Sequence, residues 1–312
     1  MFKKEFLGVK IYIYFIFLLI ALLGILFGSL FDFQISSKIV NTSSGFGGFM
    51  ESFGLTFSYA FIIIGGLLLF KGLNSSKNKY LKILSYFFLI LCYGIALYYG
   101  ADALNNGKDI SKVYGITFTP ILSYLITAIY LLMVELICYP LLKVENRKLA
   151  IIIGSMFLIG MLLETLSIEL IKNLNCRPRY RFITNSELNT SGITFRSWWE
   201  FSPFTAINDH YKSFPSGHTG SSSTLLLLPF VAPFIRIKVK YIKLILCLFG
   251  CVYNFSMMFA RIYYGAHFLS DVSFALLISL CYYILLIYVA DRIYKKIKDN
   301  VDVENSQITE NK

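Results

Sequence analysis

Charge is scarce in this sequence. Asp, Glu, Lys and Arg make up 15% of its 312 residues, against about a quarter in a soluble domain. With 56% of residues hydrophobic, a water-exposed fold would lack the polar side chains to cover itself. That argues against a soluble globular protein, and the bilayer is the solvent that fits. Histidine is rarer still, with three copies in the chain. Of the six cysteines, Cys92, Cys138, Cys247, Cys251 and Cys281 lie within apolar stretches, and only Cys176 falls in a polar loop. That placement argues against a disulfide framework, and no His or Cys partner accompanies Cys247 and Cys251 to make a zinc site. Acidic residues are outnumbered 18 to 29, for a net charge of +11. The basic residues sit between apolar runs, so topology and anionic lipid head groups account for them better than nucleic acid does.

Long apolar runs are what the chain has in quantity. Eight reach or approach the roughly 20 residues of a membrane span: 11–31, 53–70, 83–101, 120–142, 149–171, 219–235, 244–260 and 272–290. The first follows a basic N-terminus and is too long for a signal-peptide core, so a retained helix is expected. The sixth contains Pro229 and Pro233, which spans tolerate when neighbours satisfy the freed carbonyls. No repeat of fixed period is visible. The polar tail 299–312 is expected to be disordered.

The connections predict sidedness. Lys3, Lys4 and Lys10 precede the first run. Lys71, Lys77, Lys79 and Lys82, then Lys143, Arg147 and Lys148, then Arg236, Lys238, Lys240 and Lys243, and finally Arg292, Lys295, Lys296 and Lys298 occupy alternate connections or the end. With eight spans these all fall on one side, which the positive-inside rule makes cytoplasmic, with both termini. Lys172, Arg177, Arg179, Arg181, Arg196 and Lys212 break the pattern on the opposite side. Cations set against the topological rule point to another task, holding an anion. The long loop 180–214 carries both tryptophans, Trp198 and Trp199, as expected of a segment at the membrane–water interface.

Three polar groups stand at span ends on that second side. The first is Lys172, Arg177 and Arg179; arginine forks onto phosphate oxygens and lysine serves as a point charge. The second is Phe214–His218, where Ser216 and the Gly217 backbone can meet an anion and His218 follows in the first turn. The third runs from Ala260 to Asp271, with His267 and Asp271 spaced to share a helix face and Arg261 ahead of them. A carboxylate so placed can hold one imidazole nitrogen and leave the other free to attack. Each group alone has a plainer reading: head-group anchoring, an ordinary helix cap, or a cap with an incidental pair. Their occurrence on one side in a charge-poor chain favours a shared site. His210 is read as a loop residue. Among the acids within spans, Glu169 is placed to pair with Lys172, Glu164 to brace a motif arginine, and Glu135 to be a hydrogen-bonded buried acid.

The three groups resemble the signature motifs of the type 2 phosphatidic acid phosphatase family, K-x6-RP, PSGH and SR-x5-H-x3-D. Lys172 and Arg179 match the first spacing, Pro215 to His218 match the second in full, and Arg261, His267 and Asp271 match the third. Tyr180 stands in place of the first motif's proline and Ala260 in place of the third motif's serine. An Arg-Pro pair at Arg177–Pro178 makes Arg177 a second phosphate-binding candidate, though spacing favours Arg179. The resemblance covers about 149–290. It implies His267 as the nucleophile, Asp271 as its orienting partner, and His218 as general acid. It further implies Lys172, Arg179, Arg261, Ser216 and the Gly217 backbone as phosphate ligands, with no metal or other cofactor.

The expected fold is an all-α polytopic membrane bundle of eight spans. Residues 1–80 would form two added helices, 81–298 a six-helix catalytic core, and 299–312 a cytoplasmic tail. The expected function is hydrolysis of a lipid phosphomonoester or diphosphate, such as phosphatidic acid, phosphatidylglycerophosphate or undecaprenyl diphosphate. The expected site is on the extracytoplasmic face of the plasma membrane, through a phosphohistidine. The expected partners are the lipid phosphate and membrane lipids, with no nucleic acid; the oligomeric state is left open. Alternatives are a phosphotransferase of the same family, or a transporter or scaffold that keeps the motifs without catalysis.

Overall fold

In lipid, a helix satisfies every backbone N–H and C=O within one segment, so apolar runs of this length fold as helices. The computed structural model describes residues 5–105, 115, 117–202, 208–237 and 239–310. Lys3, Lys4 and Lys238 of the sidedness pattern lie outside them. One small hairpin pairs β1 (Glu5–Phe6) with β2 (Val9–Lys10). The helices are α1 (Tyr12–Ile39), α2 (Gly45–Phe49), α3 (Leu55–Asn74), α4 (Lys79–Asn105), α5 (Pro120–Leu141), α6 (Arg147–Asn175), α7 (Tyr180–Ile183), α8 (Gly217–Ser223), α9 (Ile242–Tyr263) and α10 (Leu269–Glu310). A π-helical turn, Met50–Gly54, joins α2 to α3. Among the described residues, seven helical stretches are long and apolar enough to cross a membrane. The protein is an all-α polytopic membrane bundle.

The sixth expected span takes a different form. Only Gly217–Ser223 is α-helical, and Thr224–Phe234, which contains Pro229 and Pro233, winds as a 3-10 helix. Proline removes the N–H that an α-helical ladder needs. The tighter winding, with its larger rise per residue, has a geometric consequence. Seven residues at about 1.5 Å and eleven at about 2 Å rise roughly 32 Å, close to the hydrocarbon thickness of about 30 Å. This short segment therefore runs the length of the bundle. Its far end is tied by Lys143 N–H donating to the Phe234 carbonyl (2.6 Å) and Arg236 N–H to the Leu141 carbonyl (2.8 Å). Its side chains from Thr224 to Ala232 are all buried, so neighbours rather than lipid surround it.

The basic connections gather at that far end. Lys71 Nζ donates to the carbonyls of Tyr139 and Leu142. Arg147 Nε donates to the Gly72 carbonyl (2.8 Å) and Lys243 Nζ to the Gly8 carbonyl (2.7 Å). The flanks are apolar: Leu30, Ile90, Ile121 and Val252 are exposed on the outside of the bundle, as a lipid-facing surface requires.

The N-terminal helix is built into the bundle. α1 lies along α10, and the approach is close because Gly28 carries no side chain. A Cβ there would come within 2.5 Å of the Ser270 backbone nitrogen. Small residues at helix contacts are how membrane helices gain van der Waals packing. The contact brings Asp32, one turn later, onto the start of α10. At the other end of α10 the helix continues to Glu310, through the polar tail that was expected to be disordered.

Candidate active site

The first motif straddles a helix end. Asn146 caps α6 by accepting from Leu149 N–H (3.0 Å), and Lys172 lies in its last turn. Cys176 then takes a left-handed conformation (φ 49°), and Pro178 disfavours helix at Arg177. The three cations of the motif therefore separate. Lys172 Nζ pairs with Glu169 at 2.7 Å, as expected, and lies over Gly217, where a Cβ would come within 2.8 Å of it. The glycine is what lets the ammonium approach the α8 backbone.

Arg177 turns inward and is wholly buried. Its Nε donates to the Arg196 carbonyl (2.7 Å), Nη1 to Ser270 Oγ (2.9 Å) and Asp271 Oδ1 (2.5 Å), and Nη2 to Asp32 Oδ2 (3.0 Å). Its guanidinium lies over the Phe268 ring, 4.2 Å from the centroid. With all three nitrogens engaged, Arg177 braces Asp271 and is removed from the phosphate-binding candidates. Arg179 is the arginine that remains. Its Nη1 and Nη2 meet Asp209 at 2.7 and 2.8 Å, while its buried Nε has no hydrogen-bond partner among the described residues.

The second motif is a helix start. Ser216 Oγ accepts from Thr219 N–H (3.4 Å) and Thr219 Oγ1 (3.1 Å), so the hydroxyl expected to meet phosphate serves as the α8 cap. The Ser216 N–H donates to the Asp271 carbonyl (3.2 Å), which ties the second motif to the third. His218 Nε2 lies 2.9 Å from the Glu51 carbonyl. A carbonyl only accepts, so Nε2 carries the proton and Nδ1 of the neutral ring holds the lone pair.

In the third motif, Arg261 closes α9 and is fully buried. Its Nη2 meets Glu51 Oε1 at 3.0 Å; Nε and Nη1 are buried without partners among the described residues. The chain turns through Gly265 (φ +67°) to His267, which precedes α10. His267 Nδ1 donates to the Ser213 carbonyl. By the same reasoning, Nε2 is the nitrogen with the lone pair.

Asp271 does not hold that ring directly, contrary to the helix-face expectation. Its Oδ2 lies 3.9 Å from Nδ1, beyond hydrogen-bond distance. His267 sits before the helix, so the one-turn spacing does not bring the two side chains into bonding contact. Asp271 Oδ2 instead accepts from Ser213 Oγ (2.6 Å) and from Phe268 N–H (2.8 Å), capping α10. Ser213 is thus the link: its carbonyl holds His267 and its hydroxyl is held by Asp271.

Electrostatics keep His267 neutral. Burial first, then the cationic Arg261 and Arg179, with His218 and Lys172 adding to them, push its pKa well below the usual imidazole value. A neutral ring with its Nδ1 proton committed is a nucleophile at Nε2.

Several residues of this site escaped the sequence reading. Asp32 accepts from Ser270 N–H (3.0 Å) and Ser270 Oγ as well as from Arg177. Glu51 pairs with Arg261 and with Arg181 (3.2 Å). The signal was present for both, since an acid within or beside an apolar run is a functional candidate by default. Ser213 carried no such signal. Glu164 makes no contact with a motif arginine among the described residues; it packs on Gly220 and accepts from Thr165 Oγ1 (3.4 Å). Glu135 accepts from the Tyr93 hydroxyl, the plain role expected. His210 stacks on Phe182 at 4.8 Å. Trp198 is docked on the bundle: its Nε1 donates to Ser29 Oγ (2.9 Å) and its ring stacks on Phe214. Trp199 is half exposed, as an interface residue would be.

Comparison with curated proteins and with solved structures gives no match. Among family models, residues 148–295 match the one described as the PAP2 superfamily, a segment that includes all three motifs. The superfamily's activity is that of phosphatases and phosphotransferases on phosphate esters. Motifs brought together at one end of a helical bundle, and a family match across the helices that carry them, lead to one assignment: residues 148–295 belong to the PAP2 superfamily.

Proposed function

We propose that the protein is a lipid phosphate phosphatase that works through a phosphohistidine on His267. The observation that carries the reading is a set of buried, partnerless donors beside a neutral histidine. Arg261 Nε and Nη1 and Arg179 Nε are all buried and unbonded among the described residues. Leaving such groups without an acceptor costs free energy, about 1–3 kcal/mol each and more when charged. A phosphoryl group against Arg261 and Arg179 supplies the acceptors, in reach of the charge field that acts on His267.

The steps follow from the tautomers. His267 Nε2 attacks phosphorus, the phosphorus–oxygen bond to the lipid breaks, and the leaving alkoxide takes a proton from His218. His218 Nε2 is pinned to the Glu51 carbonyl, so Nδ1, which holds the lone pair in the free site, first takes up the proton of the monoanionic phosphate ester and then delivers it to the alkoxide. Water then attacks phosphohistidine, giving its proton to His218 and releasing phosphate and free His267. The Ser213 carbonyl, with Asp271 behind it, stabilises the positive ring of the phosphorylated state. Arg261, Arg179 and Lys172 stabilise the charge on the equatorial oxygens.

The substrate class rests on setting. The motif residues stand at the ends of α6 and α9 and just before α10, three helices long and apolar enough to cross a membrane, which supports a phosphate carried on a lipid. The basic connections at the opposite end support a cytoplasmic assignment for that end and an extracytoplasmic site. Phosphatidic acid, phosphatidylglycerophosphate and undecaprenyl diphosphate are the substrates to assay. Purified protein should release inorganic phosphate from at least one, and His267→Ala should release none. Transfer of label to another lipid or a sugar, with no free phosphate, would make the protein a phosphotransferase.

A further inference from the structure

We propose that Glu51, from the N-terminal helices, is a resident carboxylate that competes with the substrate's phosphate for Arg261 and so sets how tightly the site holds phosphate. The inference rests on the phosphatase reading for its substrate, and on three observations for its placement. Glu51 lies outside residues 148–295, the segment shared with the superfamily. Its Oε1 reaches Arg261 Nη2 at 3.0 Å and Arg181 Nη2 at 3.2 Å, so one carboxylate sits between two guanidiniums. Arg261 is wholly buried, and its two remaining nitrogens, Nε and Nη1, have no partner. A guanidinium offers its donors in a fixed plane, so an anion on those nitrogens shares the group with Glu51.

The backbone fixes Glu51 in this position. It belongs to the π-helical turn Met50–Gly54, a widened form frequent at functional sites. Its carbonyl accepts from His218 Nε2, so the residue cannot withdraw from the site without releasing that histidine. Gly47, one turn earlier, lies flat on the Tyr264 ring; a Cβ there would come within 2.6 Å of it. Tyr264 belongs to the turn that leads from Arg261 to His267. The helices at the N-terminus thus enter the anion site with a negative charge and hold one of its histidines.

The charge pairing gives the direction of the effect. Lys172 pairs with Glu169, Arg179 with Asp209, and Arg261 and Arg181 with Glu51. Asp209 is largely exposed and Glu169 half exposed, so both yield to a ligand at less cost than Glu51, whose side chain is 12% exposed. A phosphate that binds Arg261 therefore meets a fixed carboxylate, and repulsion between the two lowers its affinity. Removing that charge while keeping an acceptor of the same shape strengthens binding.

The test is the affinity of inorganic phosphate for the purified full-length protein, measured by calorimetry in wild type and Glu51→Gln. The expected result is roughly tenfold tighter binding in Glu51→Gln, from loss of one like charge nearby. Binding that is unchanged, weaker or absent in Glu51→Gln would overturn the proposal, since a carboxylate that only supports Arg261 would give that pattern. Glu51→Asp, with the charge withdrawn by one methylene, should fall between the two. Failure of the phosphatase reading is seen separately: phosphate would still bind more tightly in Glu51→Gln, but no lipid phosphate would be turned over by wild type.

Discussion

Ser213 carries two tasks that one residue seldom combines. Its carbonyl fixes the His267 tautomer, and its hydroxyl connects that arrangement to Asp271. Ser213→Ala removes the second task and leaves the first. Turnover should fall about tenfold, the order of one lost hydrogen bond to a charged group, with the KM for lipid phosphate little changed. Asp271→Asn should cost more, because it also uncouples Arg177 from the site. The neutrality of His267 has its own signature. Since burial and Arg261 depress its pKa, the ring should remain uncharged as pH falls through 6.5, where an ordinary histidine titrates. Imidazole NMR with labelled histidine reads this directly, and a normal titration midpoint would contradict it. The motif spacing named His218, His267, Arg261 and Asp271 as candidates, and their hydrogen-bond partners come from the structure. It could not supply Ser213, because the contact depends on the path of the chain before Pro215. It also misjudged Asp271, because spacing alone does not tell where a helix begins.

At the level of elements, the N-terminal pair proves to be more than an addition. Asp32 on α1 and Asp271 on α10 clamp Arg177 from two sides, with all three side chains buried. Buried pairs contribute little net stability, but removing one partner leaves an uncompensated charge and costs about 3–5 kcal/mol. Arg177→Ala should therefore lower the thermal midpoint in detergent and abolish turnover. Asp32→Asn should show a weaker form of the same effect. Gly28→Leu should separate α1 from α10 and loosen the same network from a distance. The apolar runs made seven helices legible. They did not reveal the 3-10 winding of 224–234, because hydropathy counts residues and not rise. A division of the chain at residue 80 was also natural by sequence, since the matched motifs all lie beyond it. Contacts between distant residues such as Asp32 and Ser270 leave no local trace.

For the whole molecule, two ends of one bundle carry different chemistry. One end gathers the basic connections, and the other gathers the histidines and the arginine cluster. Cys176 is buried, so thiol labelling needs an introduced site. Glu187→Cys, in the long loop beside the site, should react with an impermeant maleimide from outside intact cells. Glu145→Cys, between α5 and α6, should react only after the membrane is opened. The reverse pattern would invert the topology. A transporter that merely keeps these motifs would leave His267 without a chemical role, and the buried, partnerless arginine donors beside it without an acceptor. The decisive measurement is rapid-quench trapping with a lipid carrying labelled phosphate. The label should appear on the wild-type protein as an acid-labile, base-stable phosphohistidine. It should form and decay at rates that account for turnover, and be absent from His267→Ala. Full phosphate release by His267→Ala, or turnover with no label on the protein, would contradict covalent catalysis by this residue.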